Sequence, residues 1–409
     1  MNHFDTIVVG GGSVGLTTAC ALGMQGFTVA VVEPRLAPES PVAAGHNPRV
    51  FAITRASRQI FMVLGAWDDM VAGGAYPFRD MRVWDAGGGG EIHFDCADIG
   101  EPCLGHTIEP QVIQAALLRR AQALDAITLF CPAQLTAIDV TQGPVTATLD
   151  DGSVLFAELV VGTDGKQSPL RERLGIRTQI HDYRQASLVA RVLTEHDHQA
   201  TAWQRFLPGG PLAFLPTVDG WCSIVWTLPV ETAQQQLVAD KPAFHAALGE
   251  AFDFRLGRIT GSEFREMFPL QRLHAEHYVG EHVALAGDAA HVIHPLAGQG
   301  INLGLLDAAA LAEVVQTARQ QRKQIGSLHV LRRYERWRRG DNQLMMTAMD
   351  GFNRLFGNSQ PALRRVRNLG LSLLDVAMPA KNLLVRHAMG LAGDLPSLAR
   401  PATHSPYIE

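Results

Sequence analysis

Phe4-Asp-Thr-Ile-Val-Val-Gly-Gly-Gly-Ser-Val-Gly15 is an apolar strand running straight into G-x-G-x-x-G, with Gly10, Gly12 and Gly15 in place. Leu16 to Gln25 continues as a helix, Gly26 ends it, and Phe27-Thr-Val-Ala-Val-Val-Glu33 reads as a second strand. Glu33 stands twenty-one residues past Gly12, where a carboxylate accepts a ribose hydroxyl. Alone the glycine pattern says little. Set between two strands, with an acid closing the second, it specifies a dinucleotide site in a Rossmann-like α/β fold. The same residues also spell Gly11-x-Ser13-x-Gly15, a nucleophile-elbow pattern. An elbow serine follows several strands, so Ser13 on the first turn of the chain is not read as a nucleophile.

Two later turns have the same design. Leu159-Val-Val-Gly-Thr-Asp-Gly165 is an apolar strand ending in Asp164-Gly165, with Ser168 and Arg171 just beyond. Val283-Ala-Leu-Ala286 is another, ending in Gly287-Asp288, and a glycine turn at Gly298-Gln-Gly300 then opens a helix from Ile301 to about Ala318. Such turns aim an acid and backbone N–H groups at one ligand, and a helix start favours partial negative charge there. Arg49, where the chain returns from a proline-rich loop, is a candidate for a diphosphate contact.

Between these turns the pattern changes. Residues 77–100 read as a β-hairpin around Gly87–Gly90, and Thr107–Ala123 as a helix carrying Gln111 and Gln114. Ile127–Phe156 reads as a small meander. From Asp182 to Leu228 strand-like segments alternate with glycine turns, and Lys241–Ala251 reads as helix. Beyond 305 helix is expected to about Ala392. The expected division is a discontinuous nucleotide-binding domain (1–76, 101–181, 268–340), a mostly antiparallel β domain for substrate (77–100, 182–267) and a helical C-terminal region (341–409).

At 409 residues, 47% hydrophobic and 18% charged, the chain can bury one elaborated domain or two. Five cysteines with no C-x-x-C pair imply reduced thiols in a cytoplasmic protein, without a disulfide framework or a metal site. No signal peptide precedes the first strand, and no run of eighteen apolar residues suggests a spanning helix. The net charge of −5 is uneven: residues 319–400 hold fifteen Lys/Arg against five Asp/Glu, and the rest of the chain is acidic. That excess argues against nucleic acid and leaves a basic end able to meet an anionic membrane or a protein partner.

The three motifs, in this order, resemble the flavin-dependent aromatic hydroxylases of the para-hydroxybenzoate hydroxylase class over essentially the whole chain. His291-Val-Ile-His-Pro-Leu-Ala-Gly-Gln-Gly-Ile-Asn-Leu-Gly304 is similar to the signature of the ubiquinone-biosynthesis ring hydroxylases. So are Arg49 with Ala52 and Ser57, Gly65-Ala-Trp67, Gly210-Pro-Leu-Ala213 and Arg386-His-Ala-Met-Gly390. The resemblance implies FAD, with Gly10, Gly12, Ser13, Val14 and Gly15 against the diphosphate and Glu33 on the adenosine ribose. It implies Arg49 and Gln111 near the diphosphate, Asp164 on the flavin and reductant path, and Asp288 on the ribityl chain. Pro295, Gly298, Gln299, Gly300, Ile301 and Asn302 would line the isoalloxazine, with His294, Pro295 and Gln299 the flavin-proximal candidates for a catalytic part. Thr163 stands where alanine is usual, and Pro110-Gln111 where asparagine and arginine are usual; a glutamine cannot form the charged fork.

The implied reaction is hydroxylation of a hydrophobic prenylated phenol or benzoquinol by a C4a-hydroperoxide of the flavin, using O2 and NAD(P)H as a transient donor. The flavin carries the hard chemistry and the protein supplies orientation, dryness and charge. No residue announces itself as a base. Two other readings remain: a flavin reductase or hydroxylase for another aromatic or isoprenoid compound, and a non-catalytic prenyl-binding escort on the same fold. Met345, Met349, Phe352 and Phe356 fall on one helical stripe, and Arg364, Arg365, Arg367, Lys381 and Arg386 flank apolar segments. This end is expected to dock at the inner membrane or on a biosynthetic assembly; self-association is left open.

Overall fold

The computed structural model describes residues 2–35, 47–88, 90–141, 143–293, 298–357, 381–382, 386 and 389–400. Its first sheet has eight strands, whose spine runs Val279–Gly280, Val283–Leu285, Val154–Gly162, His3–Val9, Val29–Val32, Ile127–Phe130. Four of the five pairings along this spine are parallel, and the buried stretches Ile7–Val9, Val29–Val32, Leu159–Val161 and Val283–Leu285 are apolar throughout, as a sheet covered on both faces requires. Register decides the rest. Val9 pairs with both Gly162 and Val32, and Gly162 pairs with Leu285. The strands therefore end level, and Gly10–Gly15, Glu33, Thr163–Gly165 and Gly287–Asp288 all leave from one edge. Three turns far apart in sequence meet where open parallel sheets bind ligands.

Helices Ser13–Met24 and Gln299–Gln320 cross tightly beside that edge. A Cβ on Gly304 would lie 2.7 Å from Val14 and 3.2 Å from Gly287 Cα, so only glycine permits the approach. Gln299–Gln320 is long and apolar enough to cross a membrane, yet 72% of its most apolar window is buried, so it is a core helix.

The second sheet also has eight strands, in the order His291–Val292, Ile259–Ala275, Thr178–Thr194, Cys222–Pro229, Gly210–Pro216, Thr201–Leu207, Asp80–Asp85, Glu91–Asp95. All its pairs are antiparallel except Thr201–Leu207 with Asp80–Asp85, which brings the 77–100 hairpin into this sheet. Side chains alternate strictly. Leu188, Leu212, Phe214, Ile224 and Trp226 pack under helix Lys241–Ala251, while Val189, Ala213 and Val225 face the other way. A small third sheet (Phe51–Thr54, Gly105–Ile108, Tyr76–Phe78) closes the gap between the two large ones.

Several expected boundaries move. The helix expected from Thr107 starts at Pro110, because Gly105–Ile108 pairs with Phe51–Thr54 and Pro110 suits the first helical position. Helix Val230–Val238 was not expected. Strands Thr178–Thr194 and Ile259–Ala275 pair along seventeen residues each, running across 181/182 and 267/268. The expected C-terminal helical run is two helices, Gln299–Gln320 and Leu328–Gly357, and residues 358–380 lie outside the described ones.

The basic end also differs from expectation where it is described. Lys381 is 5% exposed, donates to His93 O at 3.1 Å and pairs with Asp98 at 3.4 Å. Its charge is spent inside the protein and presents nothing to a surface. Arg386 is exposed and donates to Ile99 O at 3.5 Å. Of the apolar stripe, Met345 is half-buried beside Ile293, Leu303 and Met346. The side chains of Met349, Phe352 and Phe356, and Arg364, Arg365 and Arg367 altogether, lie outside the described residues.

Candidate active site

One cavity of about 820 Å³ runs from the glycine turn to the inner face of the second sheet. At its first end Gly12, Ser13 and Val14 form the wall, where helix Ser13–Met24 begins. A Cβ built on Gly12 meets nothing within 4 Å, so the turn is concave toward the cavity. Gly15 is the opposite case: its Cβ would lie 1.9 Å from Gly10 O and 2.6 Å from Thr163 Oγ1. Gly12 leaves room for a ligand, and Gly15 leaves room for the fold. Thr163 is more than a neutral departure from alanine, since its hydroxyl donates to Gly10 O at 2.9 Å and ties the second turn to the first.

Asp164 Oδ2 accepts from Leu170 N at 2.8 Å, whereas its Oδ1 is buried with no partner among the described residues. Burial pushes this carboxyl above its usual range, against the hydrogen bonds from Ser168 and Leu170 N. Gly165 and Lys166, not Asp164 itself, line the cavity. Buried Arg171 clamps the two acidic turns together, donating to Ala289 O at 2.7 Å and Lys166 O at 2.8 Å.

Asp288 is exposed, and its open side is the cavity. Desolvation by the surrounding protein raises its carboxyl above the ordinary range, opposed by the nearby His291, Arg49 and Lys166. Arg49 likewise faces the cavity, its guanidinium 4.9 Å from the Phe51 ring and 5.7 Å from Phe268. Gly298, at φ +63°, caps the long helix in a left-handed turn, and Gly298, Gln299, Gly300 and Ile301 line the wall at the helix start, where backbone N–H groups have no partner within the helix. Asn302 is buried and does not reach the cavity. Its Oδ1 accepts from Thr54 N (3.0 Å) and Ser57 Oγ (2.7 Å), and its Nδ2 donates to Ala52 O (2.8 Å). It staples the helix start to strand Phe51–Thr54.

Glu33 lies off the cavity wall and accepts from Gly11 N at 2.6 Å and Arg35 N at 2.9 Å, so it shapes the glycine turn directly. Gln111 donates to Glu109 and is not on the wall. Gln114 is. It reaches Gly11 O at 3.1 Å. The signal for it was the spacing, since Gln111 and Gln114 share one helix face. His294 and Pro295 lie outside the described residues.

Behind the Gly287–Asp288 turn is a buried polar cluster. Asp307, fully buried, accepts from Gly287 N (3.1 Å), from Arg338 Nε (2.9 Å) and from Asn342 Nδ2 (3.2 Å), and meets His291 Nε2 at 2.5 Å. Burial pushes the Asp307 carboxyl up, but His291 and Arg338 outweigh it and hold it down at about 2. His291 stacks on Tyr278 and is not on the cavity wall, so its part is structural.

These features fit FAD: a concave glycine turn, a cation and an acid facing one space, and a helix start beside a largely apolar sheet. Residues 3–344 match the family described as FAD binding domain. Ubiquinone hydroxylase UbiL of Rhodospirillum rubrum is 39% identical, over 94% of this chain and 89% of that protein. The 3-demethoxyubiquinol 3-hydroxylase of Escherichia coli is 38% identical, over 95% and 98%. Among solved structures, p-nitrophenol 4-monooxygenase PnpA from Pseudomonas putida shares the fold, with a TM-score of 0.78 at 21% identity over 96% of this chain and 99% of that one. The chain is therefore an FAD-dependent monooxygenase and belongs to the family of ubiquinone-biosynthesis hydroxylases.

Proposed function

We propose that this enzyme hydroxylates the aromatic ring of a polyprenylphenol or polyprenyl-benzoquinol intermediate of ubiquinone biosynthesis, with O2 and NADH or NADPH as co-substrates. The observation that carries this reading is the continuity of the cavity. A cofactor cradle and an apolar sheet face share one space, so a bound ring and a bound flavin are neighbours. When bound, FAD would supply the redox chemistry that links the nicotinamide, O2 and the aromatic ring.

The chain's own residues do the holding. Gly12, Ser13 and Val14 would hold the diphosphate with backbone N–H groups, and Arg49 would supply charge beside it. Asp288 would accept from the ribityl hydroxyls, and the N–H groups at Gly298–Ile301 would hold the pyrimidine edge of the ring. Met81, Val83, Phe94 and Leu215 line the sheet end and exclude water from the reacting carbon. The single glycine fingerprint is spent on FAD, so the nicotinamide is a visitor. In a strain lacking this protein, a prenylated ring short of one hydroxyl should accumulate, and ubiquinone formed at the normal rate would sink the reading.

Docking on anionic lipid is proposed for Arg364, Arg365 and Arg367, on the strength of the +10 charge between 319 and 400. Reversing those three charges should reduce sedimentation with anionic vesicles at unchanged flavin content. Equal sedimentation of variant and parent would remove lipid from the account.

A further inference from the structure

The cavity wall contributed by the second sheet is largely apolar, and its polar side chains are Ser187, Thr227, Gln204 and Gln271. Ser187 is 3% exposed, lines the cavity, and its Oγ has no hydrogen-bond partner among the described residues. Directly across the strand pair stands Thr227, 2% exposed, also on the cavity wall. Their neighbours on the same face are Val189, Val225, Pro211 and Ala213. Opposed residues of an antiparallel pair hold their Cβ atoms about 5 Å apart, so two hydroxyls there can both reach one atom.

An unpaired hydroxyl in an apolar wall is costly, and a valine or alanine would fill either position without that cost. A ligand oxygen removes the cost. The cations that line the cavity, Arg49 and Lys166, both act on Asp288, so no positive charge is set aside for an anionic substituent at this wall. A hydroxyl pair both donates and accepts, which suits a neutral phenol hydroxyl or ether oxygen and does not suit a carboxylate. Beyond it Met81, Val83, Ile92, Phe94 and Phe206 continue the wall with apolar groups, Gln204 beside Val83 being the polar side chain among them.

We propose that Ser187 and Thr227 form an oxygen-reading subsite that fixes a neutral ring oxygen of the substrate and so sets which ring carbon faces the flavin, leaving the Met81–Phe206 side for the isoprenoid tail. This rests on the proposed function, and it names the contacts that would make the enzyme regioselective.

The test uses FAD-loaded enzyme and two probes: a short-tailed prenylphenol and the same compound without its ring hydroxyl. Binding is read from the change in flavin absorbance, which needs no turnover. The parent enzyme should prefer the phenol by about tenfold or more, the size of one or two neutral hydrogen bonds. Ser187→Ala with Thr227→Val should bind both probes alike, at the affinity of the deoxy compound, while FAD content stays at parent level. Thr227→Ser, which keeps the hydroxyl, should keep the preference and report on folding at this site. With turnover, the double variant should release more peroxide per product and spread oxygen over more than one carbon. Parent-like preference and a single product from the double variant would overturn the subsite alone. If the parent binds neither probe, the subsite and the function beneath it both fall.

Discussion

Asp307→Ala should destabilise the enzyme by about 3–5 kcal/mol and strip its flavin, the largest effect expected of any residue outside the cavity wall. The carboxylate is fully buried, and so is Arg338, at 1% exposed. Removing the acid leaves that guanidinium with Asp341 (3.1 Å) and Asn342 (3.1 Å) but without its one buried counter-charge. It also frees Gly287 N, the bond that fixes the turn presenting Asp288 to the cofactor. Asp307→Asn keeps shape and some hydrogen bonds and should cost less. Because the folded carboxyl is held at about 2 and an unfolded one titrates near about 4, this contribution is complete above that range and is lost as pH falls toward 2. Urea unfolding with flavin release as a second readout checks it. A loss under about 1 kcal/mol would mean the cluster is already broken or solvated.

Gly12→Val should give a folded, colourless protein. Gly12 sits at φ −72°, ψ −177°, ordinary extended backbone, and a Cβ there touches no protein atom within 4 Å. The side chain therefore costs the fold little and occupies the space of the diphosphate. Displacing that group forfeits hydrogen bonds to a charged acceptor at about 1.5–3 kcal/mol each, so two such bonds weaken FAD on the order of 100-fold or more. Gly15→Val is the control, because its Cβ would strike Gly10 O at 1.9 Å and the fold itself should fail. Equal flavin content in Gly12→Val and parent would remove the glycine turn from the cofactor site.

The sequence made the sheet edge legible because each of its turns carries its own signal: an apolar run, then glycine and an acid. It made the helix start at Gly298 legible for the same reason. What stayed hidden depends on distant partners. Asp307 stands alone among apolar helical neighbours with no partner nearby in sequence, and Arg338 is one cation within Arg332–Arg339; burial makes them a pair. Lys381 read as an interfacial lysine until Asp98, far away in sequence, claimed it. Asn302 carries a motif that points to the flavin, yet its amide is consumed by Thr54, Ser57 and Ala52. Ser187 and Thr227 are ordinary strand residues until the register sets them opposite each other.

The most direct measurement is turnover under ¹⁸O2 with FAD-loaded enzyme, NAD(P)H and a short-tailed prenylphenol, followed by mass analysis of the ring. One ¹⁸O atom on a single ring carbon is the expected result, while nicotinamide oxidation that yields labelled peroxide and an unchanged ring would contradict the assignment of this cavity to ring hydroxylation.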